Sequence, residues 1–343
     1  MTTAAHRALR SVARGEPLTR TEARAAVSAL LDEDVSSAIA GGLLSALAAR
    51  GETIEAVAGA VDVLRARAVR PPVDEALAAR SIDVCGTGGD GLGTFNVSTA
   101  AAFVVAGAGT PVAKHGNRAV SSACGSADVL TALGVEIEMT PRRAAEALVR
   151  ANVTFFFAPL YHPAMKKVGP IRRELGLRTL FNLAGPLSNP LGVTRQIVGV
   201  DHPERVPVIA GALAELGAGR ALVFSHETGG DELLPFGRTF AADVRGSRVE
   251  LIELSAIDFG LPEGSPEPLK GGDAETNAEI LRAILGGFRR DARDVVLMNA
   301  AAALVVSGLA TDCREGVARA ARSIDEGRAR QALDDLVRIS RGA

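Results

Sequence analysis

Between Asp83 and Gly134 the chain concentrates residues able to hold an anion. Gly86-Thr87-Gly88-Gly89-Asp90 follows one short apolar run, and Asn96-Val97-Ser98-Thr99 opens the next. Lys114-His115-Gly116-Asn117-Arg118 closes a third. Glycines let backbone N–H groups approach phosphate oxygens, hydroxyls and amides complete the hydrogen bonds, and a lysine adds fixed charge. Ser121, Ser122, Gly125 and Ser126 supply further donors. Together these suit a sugar bearing phosphate and diphosphate groups. The glycine spacing is not GxGxxG, and no acidic residue closes a second strand about 20 residues on, which disfavours a dinucleotide fold. GxxxxGK[ST] is absent too, so this is no nucleotide P-loop. An isolated GTGGD string is as often a plain strand-to-helix turn. Asn96 to Thr99 shift the balance, because they offer an amide and hydroxyls at a helix start whose dipole favours an anion.

Two further segments have other chemistry. Phe157-Ala158-Pro159-Leu160-Tyr161-His162-Pro163-Ala164-Met165 leads to Arg172-Arg173-Glu174-Leu175-Gly176. Prolines and small apolar residues can wall a flat slot for an aromatic ring, with an arginine taking a carboxylate at its edge. Gly229-Gly230-Asp231-Glu232 places adjacent carboxylates in a loop. Beside phosphate ligands such a pair suits Mg²⁺, which favours one or two carboxylates plus phosphate oxygens and water.

The elements that must position these residues alternate in type. Residues 1–70 read as helices only, with capping-box spacing at Thr19 and Glu22 and an apolar stripe at Ile54, Val57, Ala58, Val61 and Leu64. Arg70-Pro71-Pro72 breaks that pattern as a linker. Strands are then predicted at 81–85, 110–113, 153–158, 195–200, 220–224 and 248–253, with helices at 98–107 and 127–133 and through the tail from Ala274. Strands alternating with helices imply a parallel sheet with crossovers, and open α/β sheets place ligands beyond the strands' carboxyl ends.

Composition agrees. The 343 residues include 11 Phe, one Tyr and no Trp, so the core is Ala, Val, Leu and Ile, as in helices packed on a parallel sheet. A net charge of −2 argues against nucleic acid or an anionic membrane as the main partner. Three cysteines with no CxxC give neither a zinc site nor a disulfide framework. No signal-peptide core and no membrane span is read, so a cytoplasmic location is expected.

In family order the chain carries GTGGD, NVSTA, KHGNRAVSSACGSADVL, FAPxxHPAM, RRELGxRTxFN, GPLxNP, an Asp-Glu pair and LKGGDxxxNA. On these motifs it resembles the anthranilate phosphoribosyltransferase family, from about residue 15 to 335. The resemblance implies an α/β fold: a small N-terminal all-helical domain, residues 1–72, joined by helices from about 162–180, and a larger α/β domain, residues 73–343, with a central mostly parallel sheet. It implies a homodimer formed through the helical domain. It also implies transfer of the phosphoribosyl group of phosphoribosyl pyrophosphate to the amino group of anthranilate, with Mg²⁺ and release of pyrophosphate, in tryptophan biosynthesis.

By motif, the implied donor contacts are Gly86, Thr87, Gly89, Asp90, Thr94, Asn96, Ser98, Thr99, Lys114, Asn117, Ser121 and Ser126. The implied anthranilate contacts are Gly86, His115, Asn117, Ala158, Pro159, His162, Met165, Arg172 and Gly185, and the implied metal ligands are Ser98, Asp231 and Glu232. No side chain is expected to act as a covalent nucleophile; His115 and Asn117 lie nearest the reacting groups. Glu227, Gly230 and Ala184 depart from the family pattern, pointing to the metal loop and to acceptor choice. Other readings are a paralogue using another aromatic amine or acid, a nucleoside phosphorylase, and a non-catalytic nucleic-acid-binding paralogue. Asn117-Arg118 and the Pro159/Arg172 slot argue against the phosphorylase. The retained KHGN and Asp-Glu motifs, with the acidic balance, argue against the nucleic-acid binder.

Overall fold

A computed structural model describes residues 3–32, 34–119, 123–288 and 292–342. The chain opens with α1 (Ala4–Ala13), α2 (Arg20–Asp32), α3 (Ser37–Arg50) and α4 (Ile54–Ala66). Side-chain caps start them: Thr3, Ser36 and Thr53 accept from their own first turns. The box expected at α2 is present, with Thr19 N donating to Glu22 Oε2 at 2.9 Å and Glu22 N to Thr19 Oγ1 at 3.3 Å. α4 is buried far beyond the predicted stripe, through Ala56–Val61. Gly59 is the reason on one side: a Cβ there would lie 2.6 Å from the Arg20 carbonyl, so α2 crosses backbone to backbone.

Beyond residues 70–72 the elements are α5 (Glu75–Arg80), β1 (Ile82–Gly86), α6 (Val97–Gly107), β2 (Val112–Gly116), α7 (Ser126–Ala132), α8 (Pro141–Arg150) and β3 (Val153–Phe157). Then come α9 (Ala158–Tyr161), α10 (Gly169–Leu175), α11 (Leu180–Ala184), β4 (Arg195–Gly199), α12 (Val206–Glu215) and β5 (Arg220–His226). A hairpin of β6 (Thr239–Arg245) and β7 (Arg248–Leu254) precedes α13 (Ala274–Leu285), α14 (Ala292–Ser307), α15 (Cys313–Asp325) and α16 (Arg328–Ser340). The second strand begins at Val112 rather than at 110, because Thr110 N still bonds back to Val105 O at the end of α6.

Among the described residues the sheet has seven strands in the order β3-β2-β1-β4-β5-β6-β7. β3 to β5 are parallel, whereas β6 and β7 run antiparallel. The sheet is thus mostly parallel, with an antiparallel edge that includes one strand, β6, absent from the sequence reading. Alternate side chains feed two cores. Ile82, Val84, Ile197 and Phe224 join α6, α14 and α16 on one face; Cys85, Val198, Val223 and Ala242 join α12 and the N-terminal helices on the other. Strand order reverses between β1 and β4, and their carboxyl ends meet in register at Gly86 and Gly199. A crevice at such a reversal is where open α/β sheets take ligands. Among the described residues, no helix is long and apolar enough to cross a membrane.

Candidate active site

Asp231 fills the mouth of the β1/β4 crevice. A Cβ on Gly86 would strike its carboxylate, and one on Gly199 would strike its backbone carbonyl, so both strand ends require glycine. Thr87 N donates to Gly199 O at 2.9 Å, and Gly88 N donates to Asp231 Oδ2 at 2.6 Å. Asp90 Oδ1 accepts from Leu92 N at 3.1 Å. Asp90 Oδ2 and Thr87 Oγ1 are buried with no hydrogen-bond partner among the described residues, as groups awaiting a polar ligand would be. The loop continues to Thr94, bridged to Lys270, and Gly271 N donates to Gly93 O at 2.8 Å. The LKGGD segment therefore clasps the glycine loop.

At the start of α6 the residues divide. Ser98 N donates to Glu232 Oε1 at 3.0 Å, and Lys114 Nζ lies 3.4 Å from Ser98 Oγ and 2.5 Å from Val84 O. Asn96 makes no side-chain cap. It braces a loop and α13 instead, donating to Cys124 O at 3.2 Å and accepting from Asn277 Nδ2 at 3.0 Å. Thr99 turns inward: its hydroxyl is buried and unpartnered beside a cavity of about 10 Å³ lined also by Lys114 and Thr154. The structure does not bring the Thr99 side chain to the crevice. Asp231 and Glu232 are crowded anions. Burial, then Asp90, raises Asp231 to about 6, and burial, then Asp231, raises Glu232 well above the carboxylate range.

These groups fit a hard divalent cation. Their donors are oxygens, Arg178 and Lys114 offset their charge only in part, and Asp90 holds an oxygen nearby with no hydrogen-bond partner among the described residues. Among the described residues no three His, Cys, Asp or Glu side chains converge, so the protein offers a partial set that phosphate oxygens and water would complete. Asp231→Asn with Glu232→Gln should raise the Mg²⁺ needed for half-saturation by about tenfold or more. In metal-free buffer it should raise the melting temperature, since two destabilised carboxylates become amides. A metal titration that overlays wild type would remove both residues from the metal site.

At the end of β2, Lys114 is only 4% exposed and Asp83 0% exposed. Asp83 accepts from His115 N at 3.2 Å and Asn189 Nδ2 at 2.8 Å, and burial raises it to about 6. Asp83 and Asn189 thereby fix the backbone of the KHGN turn; Asn189 lies in GPLxNP but carried no sequence assignment. Arg118, counted at the sequence level among cations for a diphosphate, is engaged elsewhere: it pairs with Asp128 at 2.9 Å and covers the Phe157 ring at 5.8 Å. Ser126 Oγ donates to Asn117 O at 3.3 Å. Ser121 lies outside the described residues.

His115 and His162 face each other with ring centroids 5.0 Å apart. His115 Nε2 and both ring nitrogens of His162 are buried and make no close hydrogen bond among the described residues, although the Gly185 backbone approaches His115 and the Ser188 and Leu64 backbones approach His162. Burial, with His162 beside it, pushes His115 down to about 3, and burial pushes His162 to about 4. Both are neutral at pH 7. Because the unfolded chain protonates near 6.5, their contribution to stability is complete above that pH and is lost as pH falls toward 4, by about 2 kcal/mol each at pH 5. Asp83, raised in the fold, works in the opposite sense between about 6 and 4. The expected result is a difference: a His115→Asn, His162→Gln protein should lose less melting temperature from pH 7 to pH 5 than wild type. Parallel losses would contradict neutral burial of the pair.

Arg172 lies in α10, half-buried, its guanidinium 5.7 Å above the Phe181 ring. Its hydrogen bond is to a neutral group, Asn182 Oδ1 at 3.2 Å, and burial pushes its pKa down. Among the described residues no carboxylate pairs with it. Ala158 and Pro159 begin α9, His162 joins it to a 3₁₀ turn that holds Met165, and Gly185 caps α11 beside the His115 ring. Of the departures from the family pattern, Glu227 is drawn to Arg238 at 3.6 Å rather than to the carboxylate pair. Gly230 leaves space taken by Leu92, whose Cδ1 would sit 2.7 Å from a Cβ there. Ala184 is fully buried in the second core.

Two family models match the chain: the glycosyl transferase family helical bundle domain over residues 6–68, and the glycosyl transferase family a/b domain over 78–330. An anthranilate phosphoribosyltransferase of Anaeromyxobacter sp. (strain K) is 50% identical, covering 96% of this chain and 97% of the relative. That of Rhodopseudomonas palustris (strain HaA2) is 48% identical over 97% of both. Among solved structures, anthranilate phosphoribosyltransferase of Thermus thermophilus superposes with TM-score 0.90 at 40% identity, covering 98% of this chain and 99% of that one. The Saccharomyces cerevisiae enzyme in complex with PRPP and Mg gives 0.87 at 27% identity, covering 99% and 98%.

Proposed function

Because the chain belongs to the anthranilate phosphoribosyltransferases of the glycosyl transferase family, we propose that it joins the phosphoribosyl group of phosphoribosyl pyrophosphate to the amino group of anthranilate and releases pyrophosphate. The single observation that carries the acceptor is Arg172, a half-buried guanidinium over a phenyl ring with no carboxylate partner among the described residues. A planar aryl carboxylate satisfies both its charge and its surroundings.

In this reading Gly86 to Asp90, Ser98 and Lys114 hold the donor. Asp231 and Glu232 hold Mg²⁺, which when bound neutralises the diphosphate as it leaves. Backbone N–H groups of the glycine loop and the Lys114 ammonium stabilise charge growing on that leaving group. His115 and Asn117 lie between the two substrates. The amine is neutral near pH 7, so its lone pair attacks the anomeric carbon without prior removal of a proton; the C–O bond to pyrophosphate breaks with its electron pair leaving on pyrophosphate, and the extra proton on nitrogen then passes to solvent or to that pyrophosphate. Rate then comes from positioning and electrostatics rather than from a covalent nucleophile. The family resemblance further supports a cytoplasmic homodimer joined through the helical part, with domains divided near residue 72.

Anthranilate fluorescence should fall only when phosphoribosyl pyrophosphate and Mg²⁺ are both present. A steady signal, alongside turnover of a different aromatic amine, would replace anthranilate as the acceptor.

A further inference from the structure

Gly88 is gripped through both of its peptide bonds by groups distant in sequence. Its N–H donates to Asp231 Oδ2 at 2.6 Å, and its carbonyl accepts from Arg178 Nη1 at 2.5 Å. With φ of +65°, Gly88 holds a conformation that other residues rarely adopt, so the loop needs outside contacts to stay in one geometry. Arg178 is also held by an ion pair, although its Nε and Nη2 make no hydrogen bond among the described residues. Its Nε lies 3.3 Å from Asp201 Oδ2, and Asp201, 5% exposed, is clamped by Arg205 Nη1 at 2.6 and 2.7 Å. Glu52, from the turn between α3 and α4, belongs to the same charge cluster.

On its other side Arg178 adjoins Thr179. Thr179 N donates to Asn182 Oδ1 at 3.0 Å, and the same oxygen accepts from Arg172 at 3.2 Å. Arg172, Asn182, Thr179, Arg178, Gly88 and Asp231 therefore form one connected path from the acceptor arginine to the carboxylates. Such contiguous polar contacts can carry coupling between sites.

We propose that Arg178 is a positioning residue: it sets the Gly88 peptide for the diphosphate and ties the donor loop to the acceptor segment. This rests on Gly86 to Asp90 being the donor loop. Arg178 touches the loop backbone rather than the reacting atoms, so its loss should register in donor affinity before acceptor affinity.

The test is calorimetry of phosphoribosyl pyrophosphate with Mg²⁺, with melting curves and both KM values, on Arg178→Met, Arg178→Lys and Asp201→Asn. Arg178→Met should weaken donor binding by about tenfold or more, the loss of one charge-assisted hydrogen bond. Arg178→Lys should recover part of that, and Asp201→Asn should shift it the same way by less. The anthranilate KM should move less than the donor constant. A lower melting temperature with unchanged donor affinity would reduce Arg178 to a structural role and overturn the inference. If Arg178→Met does not fold, unchanged donor affinity in the other two variants overturns it equally. Failure of wild type to bind the donor would instead overturn the donor-loop reading itself.

Discussion

Arg172→Ala should raise the KM for anthranilate by about two orders of magnitude while leaving donor affinity within about threefold. Removing one partner of a desolvated, hydrogen-bonded charge pair costs about 3 kcal/mol, which is roughly 150-fold. The geometry makes this loss specific. The guanidinium has one neutral partner, Asn182, and a ring beneath it, so the ligand's carboxylate would be its main counter-charge. Burial already lowers the Arg172 pKa, a sign that the charge is poorly solvated without a ligand. Arg172→Lys should recover little, because an ammonium lacks the planar fork. A calorimetric donor constant separates the roles: if donor and acceptor affinity fell together, Arg172 would be supporting the fold of the crevice rather than reading a carboxylate.

Lys114→Met should lower kcat/KM for phosphoribosyl pyrophosphate by about a thousandfold, the upper range for removing one preorganised group from a developing anion. Lys114 is held below the start of α6 by Val84 O and Ser98 Oγ and is almost wholly buried. Its charge also lowers the pKa of Asp83 and of Glu232 against their burial. Without it those carboxylates should bind protons more readily, so the variant's metal binding should require higher pH. Methionine keeps most of the side-chain volume, which limits the cavity penalty. Donor kinetics matching wild type, in a folded variant, would remove Lys114 from the site.

Much of this was legible in the chain itself. A strand running into GTGGD, a second into KHGN and a third into FAP places three loops at one sheet edge, whatever the exact boundaries. Local signals also held: Thr19 and Glu22 cap α2 as their spacing requires. β6 escaped because TFAADVR is built partly of alanines with a mid-strand aspartate, and its pairing partners β5 and β7 supply what its own sequence lacks. Within the site, Ser98 and Thr99 were both implied as donor contacts, Ser98 as a metal ligand too. Consecutive helical residues point about 100° apart, so only one of them can face the crevice. Arg118 looked like a free cation until the turn brought Asp128 to it.

Residue types and their order determined the class of chemistry. Glycines for close backbone approach, a lysine for anionic charge and adjacent acids for a hard cation are properties of side chains, present before folding. Tertiary structure decided which of them converge. It set Asp231 against the ends of β1 and β4, left Arg172 without a counter-charge among the described residues, and put Arg178 on the Gly88 carbonyl 90 residues away in the chain. Those outcomes depend on strand order and on burial, which fix distance and dielectric together, and neither is a property of local sequence.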